Sequence, residues 1–135
     1  MPEEIHVAIN SESDIITARQ KGREVALGLG FGNMDLTLLA TAISEVARNI
    51  VKYAGRGEIV VWTAVRIGGE GIVVQARDKG PGIADLEMAM RDGFSTGNGL
   101  GLGLPGARRL VDEFEIQSSP GEGTVVTLKK WARKR

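Results

Sequence analysis

The sequence predicts a two-layer α/β sandwich of the α+β kind, a mixed, mostly antiparallel sheet with its helices on one face. Three features of the chain predict it. Apolar residues recur at helical spacing through much of residues 11–54, then give way to runs rich in β-branched residues. Those runs come in neighbouring pairs, 58–67 with 72–77 and 114–119 with 124–130, and strands joined by short turns pair antiparallel. Each long helix has one apolar stripe, so the helices must pack on a single face of the sheet.

In chain order, His6 to Ile9 alternates polar and apolar residues and reads as a short strand. Ser11 or Ser13 suits the N-cap of a helix reaching about Leu29, with Ile15, Ala18, Val25, Ala26 and Leu29 on one side. Gly30 then falls where a helix C-terminal glycine belongs. A second helix starts near Asp35 and ends before Gly55, its stripe made by Leu39, Ala42, Ile43, Val46, Ile50 and Val51. Glu58 to Ile67 and Ile72 to Arg77 form a hairpin around Gly68-Gly69-Glu70-Gly71. Asp85 to Arg91 suggests a short helix, and Pro105 to Phe114 another, with Pro105 near its first turn. Phe114 to Ser119 and Thr124 to Lys130 close the chain as a strand pair around Pro120-Gly121-Glu122-Gly123. No repeat, linker or low-complexity tract interrupts residues 1–135, which are expected to form a single domain.

Composition narrows the chemistry. At 135 residues, 42% hydrophobic and 25% charged, the chain has the make-up of a soluble globular domain with a real core. Seventeen basic residues balance seventeen acidic ones, so the net charge points to neither nucleic acid nor an anionic membrane. The absence of cysteine excludes disulfides, thiolate nucleophiles and Cys-ligated zinc, and fits a cytoplasmic location. His6 is the lone histidine, which excludes a multi-histidine metal site and disfavours a Ser–His–Asp triad. No apolar run approaches the roughly 20 residues of a membrane span, and no signal peptide is expected. Arg133-Lys134-Arg135 reads as a solvated basic tail. Glycine is the outlier, at 19 of 135 residues, about twice the roughly 7% average.

The glycines concentrate in stretches with the parts of a nucleotide site. Asp78-Lys79-Gly80-Pro81-Gly82 follows a strand, and the Asp78 carboxylate can accept a hydrogen bond from an adenine amino group. Gly97-Asn98-Gly99-Leu100-Gly101-Leu102-Gly103 suits neither a packed strand nor a helix interior. It suits a segment that exposes successive backbone N–H groups to phosphates and then enters a helix. Ser95 and Thr96 stand at the entrance of that segment, and Thr124, after Gly121-Glu122-Gly123, can add a hydroxyl to an adenine pocket. Upstream, Glu45 and Asn49 share one helix face: a carboxylate able to orient a hydroxyl, and an amide oxygen able to complete a Mg²⁺ shell. Arg48 beside them can face a partner, phosphate or solvent. Each piece alone reads as an ordinary turn or helix surface; the ordered set points to ATP. Gly101 to Gly106 fits GxGxxG by letter, but no strand precedes it in a βαβ unit, and no Gly-Lys-Ser/Thr closes a P-loop.

In these motifs the chain resembles the GHKL superfamily of gyrase, HSP90-type, histidine-kinase and MutL ATPases. Glu45-Val46-Ala47-Arg48-Asn49 matches its N box, and Asp78 to Gly82, Gly99 to Gly103 and Gly121 to Thr124 match its three glycine boxes. The resemblance implies a Bergerat ATP-binding fold. The length favours the small serine-kinase branch of anti-sigma factors and stressosome switch kinases. Ala42 to Ile50, Gly93 to Gly97 and Gly101 to Phe114 are most similar to the switch kinases. Asn49-Ile50-Val51-Lys52-Tyr53 departs from the alanine and histidine that many anti-sigma relatives carry there. Implied by this resemblance are Asn49 as Mg²⁺ ligand and Glu45 as the group activating the substrate hydroxyl. Asp78 would read adenine with Gly80, Gly82 and Thr124 nearby, and Gly97, Gly99, Leu100, Gly101, Leu102 and Gly103 would close over the phosphates with Ser95 and Thr96. ATP and Mg²⁺ are the implied cofactors. A serine or threonine of a STAS-domain stressosome protein is the implied substrate, and a PP2C-type phosphatase regulator or other effector the implied partner. The alternative is an ATP-gated, anti-sigma-factor-like binding protein in which catalysis is secondary.

Overall fold

The computed structural model describes residues 3–82 and 103–132. They form β1 (Ile5–Ile9), α1 (Glu12–Gly28), α2 (Asn33–Tyr53), β2 (Gly57–Arg66), β3 (Gly69–Asp78), α3 (Gly103–Arg109), β4 (Glu113–Ser119) and β5 (Gly123–Trp131). The strands lie in the order β1-β2-β3-β5-β4 and every neighbouring pair is antiparallel. Two helical passes between β1 and β2 return the chain to its starting side, so β2 runs against β1. The expected helix at 85–91 lies outside the described residues.

Local signals fix the helix ends. The Asp14 carboxylate accepts the N–H groups of Asn10 at 2.8 Å and Ser11 at 3.1 Å, which satisfies donors at the start of α1. At the other end Gly30, at φ 88°, gives its N–H to the Leu27 carbonyl at 3.1 Å while Phe31 gives its own to Ala26 at 3.2 Å. This crossed pair is the Schellman stop expected of that glycine. Phe31 is buried just beyond it, and the chain turns directly into α2.

A single apolar core lies between helices and sheet. Ile9, Ile59, Val61, Val74, Val126 and Leu128 project from the strands onto Ile15 and Ala18 of α1, Leu39, Ile43, Val46 and Ile50 of α2, and Leu104 and Ala107 of α3. Each fully buried Ile or Leu contributes about 1.5–3 kcal/mol. Alternation sends the other strand residues to the opposite face, where a polar chain crosses the sheet. His6 Nδ1 lies 3.1 Å from Glu58 Oε2, and Arg77 Nη1 lies 3.6 Å from Glu58 Oε1. Arg77 also donates to Gln75 at 2.6 Å, and Gln75 donates to Thr127 at 3.0 Å. The hydrogen bond that the His6 ring makes to Glu58, helped by one to Glu4, raises the pKa of His6 above its ordinary value.

Two boundaries differ from the expectation. The first hairpin turns on Ile67-Gly68 alone, since Arg66 pairs with Gly69, and the remaining glycines belong to β3. Gly71 is glycine because a Cβ there would stand 2.5 Å from the Trp131 ring and 2.8 Å from the Lys130 carbonyl of β5. The helix expected over Pro105 to Phe114 is instead Gly103–Arg109, and Phe114 lies in β4. Asp112 ends it by joining β5, giving its N–H to the Lys129 carbonyl at 3.0 Å and accepting the Trp131 N–H at 2.7 Å. Among the described residues no helix is long and apolar enough to cross a membrane.

One charge pair lies in the interior. Asp35, in the first turn of α2, and Lys130 of β5 are both nearly inaccessible, 3.6 Å apart, and Lys130 also donates to the Leu110 carbonyl at 3.0 Å. It ties α2, the sheet and the end of α3 together. Lys130→Met keeps the side-chain volume but removes one charge of this buried pair, so it is expected to destabilise the fold by about 3–5 kcal/mol in urea unfolding. A loss within error of zero would show that this pair has no structural weight.

Candidate functional site

The site residues gather where β3 ends beside the C-terminus of α2. Asp78 closes β3, opposite Gly57 of β2 on one side and Thr124 of β5 on the other. One carboxylate oxygen, Oδ1, accepts the Gly80 N–H at 2.9 Å, which sets the turn; Oδ2 has no hydrogen-bond partner among the described residues. The turn sits on the end of α2. A Cβ at Gly80 would stand 2.6 Å from Ala54 Cβ, and Ala54 is the helix C-cap. Gly82, at φ 78°, lies so close to Ser119 that a Cβ would run into its carbonyl. The adjacent Pro81 carbonyl accepts the Gly121 N–H at 2.6 Å. The Asp78 turn is thus clasped between the end of α2 and the β4–β5 hairpin.

Thr124 is buried, with its Oγ1 2.8 Å from Ser118 Oγ, which lies 2.9 Å from the Gly123 carbonyl. A serine hydroxyl has one proton. Given to that carbonyl, it leaves Thr124 the donor in the Ser118 pair, with its lone pairs open to an incoming donor. Asn49 comes five residues before Ala54, about 7.5 Å along the helix axis from the seat of Gly80. Its amide is half-buried and makes no hydrogen bond to other described residues. One turn further back Glu45, with a side chain only 13% exposed, accepts a hydrogen bond from Arg48 Nη1 at 3.0 Å. Arg48 therefore engages the neighbouring carboxylate, an outcome that the sequence left open.

Glu45, Asn49, Asp78, Gly80, Gly82 and Thr124 thus lie on α2, the end of β3, the turn that follows it and the start of β5. Gly103 is the first residue of α3, at φ 50°. Ser95, Thr96, Gly97, Gly99, Leu100, Gly101 and Leu102 lie outside the described residues. Three contributors escaped the sequence reading. Gly57 lies where a Cβ would stand 2.9 Å from Ile50 and 3.1 Å from Asp78 Cβ; Ala54 seats the turn; Ser118 orients Thr124. Ser118 was accessible from hairpin register, since it is paired with Thr124 across the Pro120 turn. Ala54 and Gly57 emerge only once helix and sheet are docked.

The donor set suits a nucleotide with its cation. A carboxylate oxygen without a partner among the described residues, beside a hydroxyl, matches the amino edge of a base, and an amide oxygen likewise without a described partner matches Mg²⁺, which keeps several waters and takes few protein ligands.

Residues 34–134 match the family described as histidine kinase-, DNA gyrase B-, and HSP90-like ATPase. The serine/threonine-protein kinase RsbT of Bacillus subtilis (strain 168) is 52% identical over 127 residues, covering 94% of this chain and 96% of RsbT. An anti-sigma F factor of Thermoanaerobacter sp. (strain X514) is 32% identical over 101 residues, 72% of this chain and 71% of that factor. Among solved structures, the RsbU and RsbW domains of a Mycobacterium tuberculosis protein align over 98% of this chain and 33% of theirs. That alignment has a TM-score of 0.66 at 24% identity, a likeness of fold. The chain belongs to the histidine kinase-, DNA gyrase B-, and HSP90-like ATPase family and, within it, to the serine/threonine-protein kinases of the RsbT kind.

The clasp around Asp78 makes a stability prediction. Gly82→Ala adds a methyl group at positive φ against a carbonyl and is expected to cost about 1–3 kcal/mol in urea unfolding. Asp78→Asn keeps Oδ1 as acceptor for Gly80 and is expected to stay within about 0.5 kcal/mol of the parent. Equal stability of the two variants would contradict the described packing.

Proposed function

We propose that the chain binds Mg-ATP at the Asp78 end of the sheet and phosphorylates a serine or threonine of a STAS-domain protein in a partner-switching stress pathway. The observation that carries this reading is the RsbT-like identity over nearly the whole chain, joined to an Asp78 carboxylate oxygen and an Asn49 amide that have no hydrogen-bond partner among the described residues. In this reading residues 1–135 act as one cytoplasmic ATPase domain. Released from its substrate, the kinase binds a PP2C-type phosphatase regulator.

Each residue has a distinct task in this proposal. Asp78 accepts the adenine amino hydrogen, with Thr124 beside it and Gly80 and Gly82 allowing the base to lie close to backbone. Asn49 holds Mg²⁺, which would supply neutralisation of phosphate charge. Glu45 accepts the proton of the partner hydroxyl as that oxygen forms its bond to the γ-phosphorus and the bond to the β-bridging oxygen breaks, releasing ADP. Arg48 holds the Glu45 carboxylate in one rotamer through its 3.0 Å contact. Ser95, Thr96, Gly97, Gly99, Leu100, Gly101, Leu102 and Gly103 contribute the phosphate-facing backbone and hydroxyls. Positioning and charge neutralisation supply most of the rate in such transfers.

The anti-sigma F factor relatives favour a second reading, in which ATP gates docking to a partner and transfer is incidental. Glu45→Ala separates the two. As a kinase, the variant keeps ATP affinity within about twofold while transfer of labelled phosphate to a candidate STAS-domain protein falls by roughly 10²–10⁴. Asn49→Ala loses Mg-dependent transfer altogether with an unchanged urea midpoint. Full transfer by Glu45→Ala would remove the general-base role, and partner binding that persists with ATP dependence intact would favour the switch.

A further inference from the structure

A row of oxygens crosses the sheet at its Asp78 end. Gly57, Asp78, Thr124 and Ser118 stand directly opposite one another on β2, β3, β5 and β4, and residues paired in this way point to the same side. Gly57 has no side chain, which leaves one carboxylate and two hydroxyls in line. Neighbours in such a row have Cβ atoms about 4.5–5.5 Å apart, so each polar group is within reach of the next.

The direction of the protons along this row is set at its far end. Ser118 Oγ lies 2.9 Å from the Gly123 carbonyl oxygen and 2.8 Å from Thr124 Oγ1. A carbonyl only accepts, and each hydroxyl has a single proton. Both contacts are hydrogen bonds in one arrangement alone: Ser118 donates to Gly123, and Thr124 donates to Ser118. The opposite arrangement forfeits one of the two bonds beside a buried residue, Thr124. Gly123 is itself packed closely, since a Cβ there would meet the Asp78 carbonyl and stand 2.8 Å from Lys79 Cα. The carbonyl that ends the relay therefore belongs to a residue seated on the turn that carries the Asp78 carboxylate.

With its proton turned toward Ser118, Thr124 has only lone pairs to offer a ligand. Asp78 likewise offers an acceptor, its Oδ1 being taken by the Gly80 N–H at 2.9 Å. An amino group satisfies such a pair. A carbonyl oxygen in the same position meets lone pairs and loses the hydrogen bond it made to water. Removal of the Ser118 oxygen would free the Thr124 proton to turn toward that carbonyl.

We infer that Ser118 is a positioning residue that holds the Thr124 hydroxyl as an acceptor, so that the site selects a base with an amino group over one with a carbonyl oxygen in its place. The inference rests on the proposed ATP site and adds to it the residue that sets base selectivity. Ser118 acts through Thr124 and needs no contact with the nucleotide.

The test is titration calorimetry of Mg-ATP and Mg-ITP with the full chain, with Ser118→Ala, Ser118→Thr and Thr124→Val, and with the double variant carrying Ser118→Ala and Thr124→Val. Ser118→Ala is expected to reduce the preference for ATP over ITP about three- to tenfold, the effect of one hydrogen bond, mainly by strengthening ITP binding. Ser118→Thr keeps a hydroxyl and is expected to keep the preference. In the Thr124→Val background, loss of Ser118 is expected to change nothing further, because no hydroxyl remains to redirect. Urea unfolding checks that each variant folds; if Ser118→Ala does not, Ser118→Val, with the shape of threonine, takes its place. An undiminished preference in Ser118→Ala, or the same loss in the Thr124→Val background, overturns this inference while the ATP site stands. A parent that binds both nucleotides equally also overturns it, and one that binds neither overturns the ATP reading with it.

Discussion

Everything at the candidate site depends on how closely the end of β3 approaches the end of α2. Gly80 rests on Ala54, Gly57 admits Ile50 and Asp78 on either side, and no side chain larger than hydrogen fits at either glycine. That approach is fixed from both directions. Ile50 and Val46 anchor α2 in the core, while Asp78 is the last residue of a strand paired on both edges. A carboxylate on a sheet and an amide on a helix are thereby held at one end of the molecule by elements that are individually rigid. Loops alone give less exact placement than this.

The two ends of the sheet differ in construction. The Asp78 end is built from glycine turns and small polar groups. The other end is built from a tight hairpin, a tryptophan whose backbone N–H is taken by Asp112 and whose indole N–H is taken by Glu113, and exposed aliphatic side chains. The buried Asp35–Lys130 pair lies at this second end, joining the first turn of α2 to β5. Both ends are therefore linked through α2, which runs from Asn33, two residues before Asp35, to Tyr53 beside the Asp78 turn.

Much of this was legible in the sequence because the local signals agreed with the tertiary ones. The helix stop at Gly30, the two long helical stripes, the paired strands and the position of Asp78 at a strand end all follow from periodicity and turn chemistry, and all appear in the fold. What escaped depends on contacts between elements. Gly69 to Gly71 look like a loop until β5 is laid beside them and Trp131 occupies the space of a side chain. The helix after Pro105 looks continuous to Phe114 until Asp112 finds β5. Arg48 on an amphipathic helix has no assignable partner by spacing alone, since solvent competes with Glu45 equally well. Asp35 reads as a first-turn acid, and only docking of β5 shows that it is buried against Lys130.

The central claim is that the open oxygen of Asp78 selects the amino edge of adenine. Titration calorimetry of the purified chain with Mg-ATP and Mg-ITP isolates it, because ITP replaces that amino group with a carbonyl oxygen facing the carboxylate. ATP is expected to bind at least about tenfold more tightly, a difference of about 1.4 kcal/mol or more, and Asp78→Asn to narrow the gap. Equal affinities for the two nucleotides in the parent protein would contradict the account.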